Sequence, residues 1–243
     1  MAMAAFFDLD NTLVRGSSLY HLACDLVRKK VIPRREVMRF ARQEMSFIMR
    51  RAEPEGVSTS AAARALALVA GRSEDSMLAV TSEFVRKKLP SILVPDVLDE
   101  LRRFQVHGIS TWLVTASPIE LASAIAGELG MSGAIGTVSE VRDGHYTGNL
   151  VGAIAHGPGK VKLVIEQAAI HGLELDMSWA YSDSINDLPL LASVGMPVVV
   201  NPNTQLLNIA KKNGWGVMET ARRGAPAKRI AGHDPRVRYP ASA

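Results

Sequence analysis

A single cysteine, Cys24, is the whole thiol inventory of a 243-residue chain. That excludes an internal disulfide and a thiolate metal centre, and the apolar neighbours of Cys24 in a helical pattern make it a packing residue. Long apolar runs are missing too. None approaches the roughly 18 to 20 residues of a membrane span, so no such span is expected. The short apolar stretch at the N-terminus has no basic flank and already contains Asp8, which argues against a secretory leader and for the cytoplasm.

The overall balance is basic, with a pI near 9.3, but the charge is segregated. Residues 17–94 hold 14 basic and 8 acidic side chains, residues 95–220 hold 7 and 13, and residues 221–243 hold 6 and 1. The last stretch, rich in proline and poor in apolar periodicity, is expected to be a flexible basic tail. Its charge alone is too little to predict a nucleic-acid partner, and none is expected.

Residues 4–8, 109–114, 178–182 and 197–200 are short apolar or β-branched runs, the pattern of strands buried on both faces. Helical spacing follows over 118–129, with Pro118 in the first turn, and over Lys160 to His171, stopped by Gly172. Strands alternating with helices predict an α/β fold: a three-layer, doubly wound parallel sheet. Four further helical stretches, Ser17 to Lys30, Pro33 to Ala52, Ser58 to Ala70 and Ser73 to Lys88, predict a helical insert over 17–91. Core segments at 1–16 and 92–220 flank it. Asp143-Gly144 between β-type runs predicts a hairpin within 137–150.

Parallel sheets bind ligands at the carboxyl ends of their strands, and here that edge collects Asp8, Asp10, Thr115, Asp183 and Asn201. In FFDLDNTLV, Asp8 and Asp10 at i and i+2 would face opposite sides of a continuing strand. For both to serve one site, the chain must turn after Asp8, and Asn11 suits such a turn. A second acidic pair, Asp183 and Asp187 in YSDSINDLPLL, makes an oxygen-rich site for Mg²⁺ the simplest way to neutralise the cluster. A helix-loop-helix calcium loop is excluded, because its sixth and twelfth positions counted from Asp8 are Leu13 and Leu19. A nucleotide loop at HGPGK is excluded because Ile154 and Val161 stand where glycine and a hydroxyl residue are required. TASPI lacks the glycines of a serine nucleophile elbow.

FFDLDNTLV, WLVTASP, the Lys160 region and YSDSINDLPLL, in that order, resemble the four motifs of the haloacid dehalogenase superfamily of phosphohydrolases. The helical insert resembles the cap of subfamily IB, which includes phosphoserine phosphatase. The resemblance implies an aspartyl-phosphate formed on Asp8, with Asp10 as general acid and then base. It implies Mg²⁺ held by Asp8, the backbone carbonyl of Asp10 and Asp183, with Asp187 ordering waters or orienting the lysine. Thr115 and the backbone of the following turn at Ala116 would bind the phosphoryl group, as would Lys160, with Lys162 as the rival in a shifted register. Asn186 would contact phosphate or simply shape its turn, and His156 is a loop residue.

The implied activity is hydrolysis of a small phosphorylated metabolite. Alternatives are a phosphotransferase or mutase using the same intermediate, or a non-catalytic phosphate-ligand binder. Two departures bear on substrate. Phosphoserine phosphatases carry a glutamate for the substrate ammonium nine residues beyond the nucleophile, where this chain has Ser17. Their second motif usually reads Ser-Gly-Gly, where this chain has Thr115, Ala116 and Ser117. Arg50 or Arg51 could supply a contact from the cap.

Overall fold

The computed structural model describes residues 2–35, 38, 69–221 and 228–230. An eight-stranded sheet runs through the molecule in the order β4-β3-β2-β1-β5-β6-β7-β8. Its members are β1 (Ala4–Asp8), β2 (Ser110–Pro118), β3 (Gly133–Arg142), β4 (His145–Val151), β5 (Trp179–Ser182), β6 (Met196–Val200), β7 (Gly216–Glu219) and β8 (Lys228–Ile230). The six strands from β3 to β7 pair in parallel, while β4 and β8 are antiparallel edges. β1 lies at the centre and is buried along its whole length, as its unbroken apolar run requires.

Alternation along β1 divides the core into two layers. Phe7 stacks on Tyr181 with ring centroids 4.7 Å apart, and Phe104 tilts against Trp179 at 4.9 Å, on one face. Phe6, Val114, Val164, Leu191 and Leu206 fill the other. The described helices are α1 (Ser18–Arg28), α2 (Glu74–Ile92), α3 (Pro95–Val106), α4 (Ile119–Glu128), α5 (Pro158–His171), α6 (Leu188–Ala192) and α7 (Thr204–Asn213). Of these, α2, α3 and α4 supply Phe84, Leu101 and Leu121 to the first layer, and α5, α6 and α7 cover the second. This is the expected α/β sandwich, with inserted helical segments forming a cap.

Local chemistry accounts for the boundaries. Ser17 caps α1 by accepting the Tyr20 N–H, Pro95 opens α3, and Gly172 ends α5 in the left-handed region at φ 64°. Asp143 and Gly144, at φ 50° and 72°, make the turn between β3 and β4. Five elements have no counterpart among the expected ones: α3, α6, α7, β7 and β8. Within the stretch expected as a flexible tail, Lys228–Ile230 pair with β7, and nearly all the rest lies outside the described residues. So do most of the helices expected over Pro33 to Ala52 and Ser58 to Ala70, with Arg50 and Arg51.

Within the insert, Lys29, which caps the end of α1, pairs with Glu83 of α2 at 2.9 Å. The insert is joined to the sheet at β4. Gly71 donates to the Tyr146 carbonyl at 2.7 Å, Tyr146 to the Arg72 carbonyl at 3.0 Å and Glu74 to the Gly144 carbonyl at 2.9 Å, so the chain entering α2 lies along β4. Among the described residues, no helix is long and apolar enough to cross a membrane.

Candidate active site

β1 ends at Asp8, and the chain turns at once. Leu13 and Val14 both donate to the Leu9 carbonyl at 2.9 Å, and Asn11 adopts φ 58°, a left-handed geometry that asparagine tolerates better than most residues. The turn carries Asp10 back to the same edge as Asp8. There Asp10 Oδ1 accepts the Ser18 N–H at 2.8 Å, from the first residue of α1.

The end of β2 departs from the ladder. Val114 pairs with Ile135 and Pro118 with Thr137, so three residues, Thr115 to Ser117, stand opposite Gly136 alone. They form a bulge at the sheet edge. Within it the Ser117 N–H donates to Thr115 Oγ1 at 3.1 Å, and Ser117 Oγ lies 3.1 Å from Ser18 Oγ of α1. Thr115 and Ser117 are both buried.

α5 brings in the cation. Lys160, in its first turn and 3% exposed, donates to Asp8 Oδ1 and to Asp187 Oδ2, each at 2.8 Å. The half-turn rival, Lys162, is 70% exposed and lies 4.0 Å from Glu166. Asp187 Oδ2 also accepts the Ser182 hydroxyl at 2.7 Å. Asp183 is held by Thr12, whose Oγ1 accepts its N–H at 3.0 Å. Ser182 and Thr12, both fully buried, were not assigned roles from the sequence. The signal available was a hydroxyl residue inside each acidic motif. Asn186 is exposed, and its backbone N–H donates to Ser184 Oγ. Asn201 ends β6 at φ 45° and bonds Thr220 rather than joining the cluster.

The electrostatics are those of a site short of positive charge. Burial pushes the Asp8 carboxyl up to about 7, Lys160 pulls it down, and Asp187 and Asp183 raise it. Burial and the charge of Asp187 push Asp183 up to about 6. Burial works against the charge on Lys160, but Asp8 and Asp187 outweigh it and hold the ammonium above its ordinary value. His156 is held below its ordinary value by burial and then by Lys160. Three carboxylates thus face one lysine. Among the described residues, no three His, Cys, Asp or Glu side chains are grouped so as to hold a metal ion by themselves.

Paired carboxylates, a buried lysine and a hydroxyl-bearing bulge, all at the C-terminal edge of a parallel sheet with a helical cap, define a hydrolytic α/β enzyme rather than a scaffold. The family profile for haloacid dehalogenase-like hydrolases matches residues 5–192. The chain belongs to that superfamily and lies close to its phosphoserine-phosphatase-like members. It is 38% identical over 237 residues to the phosphoserine phosphatase SerB1 of Mycobacterium tuberculosis, covering 93% of this chain and 76% of that one. It is 30% identical to a histidinol-phosphatase of Neisseria meningitidis, covering 90% of this chain and 99% of that one. Among solved structures, a Bordetella pertussis protein of unknown function superposes with a TM-score of 0.79 at 34% identity, covering 89% and 98% of the two chains.

Proposed function

We propose that this chain is a Mg²⁺-dependent phosphomonoesterase that acts on a small phosphorylated metabolite through an aspartyl-phosphate on Asp8. The observation that carries the reading is the buried Lys160 bridging Asp8 and Asp187 at the end of β1. A lysine there would meet a phosphoryl group as a fixed positive charge beside the nucleophilic carboxylate and stabilise the charge that develops on the phosphoryl oxygens. Asp8 Oδ1 is tied to the lysine, which leaves Oδ2 to attack phosphorus. The P–O bond to the leaving group breaks as the Asp8–P bond forms.

Asp10 completes the reaction. With Oδ1 anchored by the Ser18 amide, its other oxygen carries the proton to the departing alkoxide and then removes one from the water that hydrolyses the acyl-phosphate. Thr115, the Ala116–Ser117 backbone and Asn186 bind phosphoryl oxygens in this scheme. The cap, residues 17–91, would exclude bulk water until the leaving group departs.

The donor chemistry fits Mg²⁺. Asp8 and Asp183, both raised in pKa first by burial and then by neighbouring carboxylates, would hold it together with the Asp10 carbonyl and waters, while Asp187 orients Lys160. Bound there, the cation would supply the missing positive charge and polarise the phosphoryl oxygens.

The relatives' names point to phosphorylated amines as the first substrates to test. Ser17 supplies no charge for an ammonium, since its hydroxyl caps α1, so that contact would have to come from elsewhere. Phosphate release from a panel of phosphomonoesters, with Mg²⁺ or chelator and with Asp8→Asn beside the wild type, tests the reading. Metal-dependent release that is lost in a folded Asp8→Asn supports it. Release retained in that variant removes it, and transfer to an added alcohol in preference to water would make the enzyme a phosphotransferase.

A further inference from the structure

Behind the bulge of β2 stands a residue that touches none of the site carboxylates. Thr137 of β3 is buried, and its Oγ1 donates to the Ala116 carbonyl at 2.8 Å while accepting the Ala155 N–H at 3.3 Å. One hydroxyl therefore joins the bulge to the segment that leads into α5 and Lys160. We propose that Thr137 is a positioning residue for phosphoryl binding: it sets the Ala116–Ser117 peptide so that its N–H faces the site, and it holds the Lys160 segment in register with that peptide. This rests on the reading of residues 115–117 as the phosphoryl-binding turn.

The argument is one of peptide geometry. In a trans peptide the carbonyl and the N–H point in opposite directions. With the Ala116 carbonyl drawn back onto Thr137, the Ser117 N–H is aimed forward, where it is found on Thr115 Oγ1. That contact uses the Thr115 oxygen as an acceptor and leaves its proton free to be donated to a phosphoryl oxygen. The neighbouring residue reinforces the alignment. A Cβ added to Gly136 would lie 3.0 Å from both the Ser117 carbonyl oxygen and Ile119 Cα, so glycine lets β3 press directly on the back of the bulge. On the other side Gly159, one residue before Lys160, packs so closely on the Ile154 carbonyl that a side chain would overlap it. Gly136 thus fits β3 to the bulge and Gly159 folds the lysine segment closely on itself, while the Thr137 hydroxyl is the bond that joins the two.

The test uses the full chain with Mg²⁺, the best phosphomonoester of the panel, and inorganic phosphate as competitive inhibitor. Thr137→Val keeps the shape and removes the hydroxyl. It is expected to lower kcat/KM and to weaken phosphate inhibition by about tenfold or more, because a buried carbonyl and N–H lose their partner and the peptide is freed to rotate. Thr137→Ser restores the oxygen and is expected to stay within about threefold of wild type on both measures. Thr137→Cys, a poor hydrogen bonder of similar size, serves the same comparison if the valine variant does not fold. A hydroxyl that only stabilised the fold would lower the melting temperature but leave phosphate inhibition unchanged per folded molecule, and that result overturns the proposal. So does wild-type phosphate inhibition in Thr137→Val or Thr137→Cys. Asp8→Asn, run alongside, separates the two levels. Activity retained there removes the phosphatase reading itself, whereas an inactive Asp8→Asn with an unaffected Thr137→Val removes only the role of Thr137.

Discussion

Replacing Lys160 with methionine keeps the length of the side chain and deletes its charge. In the folded protein that leaves Asp8 and Asp187 buried without the ammonium that stands 2.8 Å from each. Lys160 is 3% exposed, Asp8 6% and Asp187 2%, so little water is at hand to replace it. Breaking a buried pair by removing one partner costs about 3 to 5 kcal/mol. For a domain of this size that is a fall in melting temperature of about 6 to 20 °C. Urea unfolding followed by circular dichroism, in chelator so that no metal compensates, measures it. Adding Asp187→Asn removes one of the stranded carboxylates, and the double variant is expected to recover a large part of the loss. In the assay with Mg²⁺, Lys160→Met is expected to lower kcat/KM by about 10² to 10³. A stability change within about 1 kcal/mol, the value of an exposed pair, would refute the reasoning, since the cluster would then be open to water.

Three further outcomes follow from other parts of the molecule. Ser182→Ala removes a hydroxyl bond to the Asp187 carboxylate and is expected to cost about 1.5 to 3 kcal/mol in the same unfolding assay, with reduced activity as Lys160 loses its fixed partner. Phe104→Ala, in the cluster of Phe7, Trp179 and Tyr181, is expected to cost about 3 to 5 kcal/mol; a smaller loss would show that this layer can collapse around the gap. Glu140 is held at about 2, below its ordinary 4.5, chiefly by hydrogen bonds from Thr147, Asn149 and Arg142. Its contribution to the β3–β4 hairpin is therefore complete above pH 4.5 and lost as pH falls towards 2. Hydrogen exchange of the hairpin amides should show an acid-dependent opening that Glu140→Gln removes.

Much of this was legible from local chemistry. Four apolar residues running into Asp8 read as a strand buried on both faces, and the turn that Asn11 suggested is present at φ 58°. The ends of α1 and α5 were written in Ser17 and Gly172, and the hairpin in Asp143-Gly144. α3 and α7 also carried signals, Pro95 at the start of one and Asn203 capping the other, but β7 and β8 are too short for periodicity to distinguish from loop. Which of Lys160 and Lys162 would be buried could not be decided from spacing, because the two lie two residues apart on one helix and differ only in what α5 packs against.

Residue types and order thus determined the strand–helix alternation, the acidic edge and the kind of chemistry it can support, because propensity, capping and charge act over a few residues. The tertiary structure alone decided the bonds that span the chain. Lys160 reaches Asp8 across 152 residues, Thr12 holds Asp183 across 171, and Thr137 ties Ala116 to Ala155. Such contacts depend on strand order and register in a folded sheet, which no local pattern encodes.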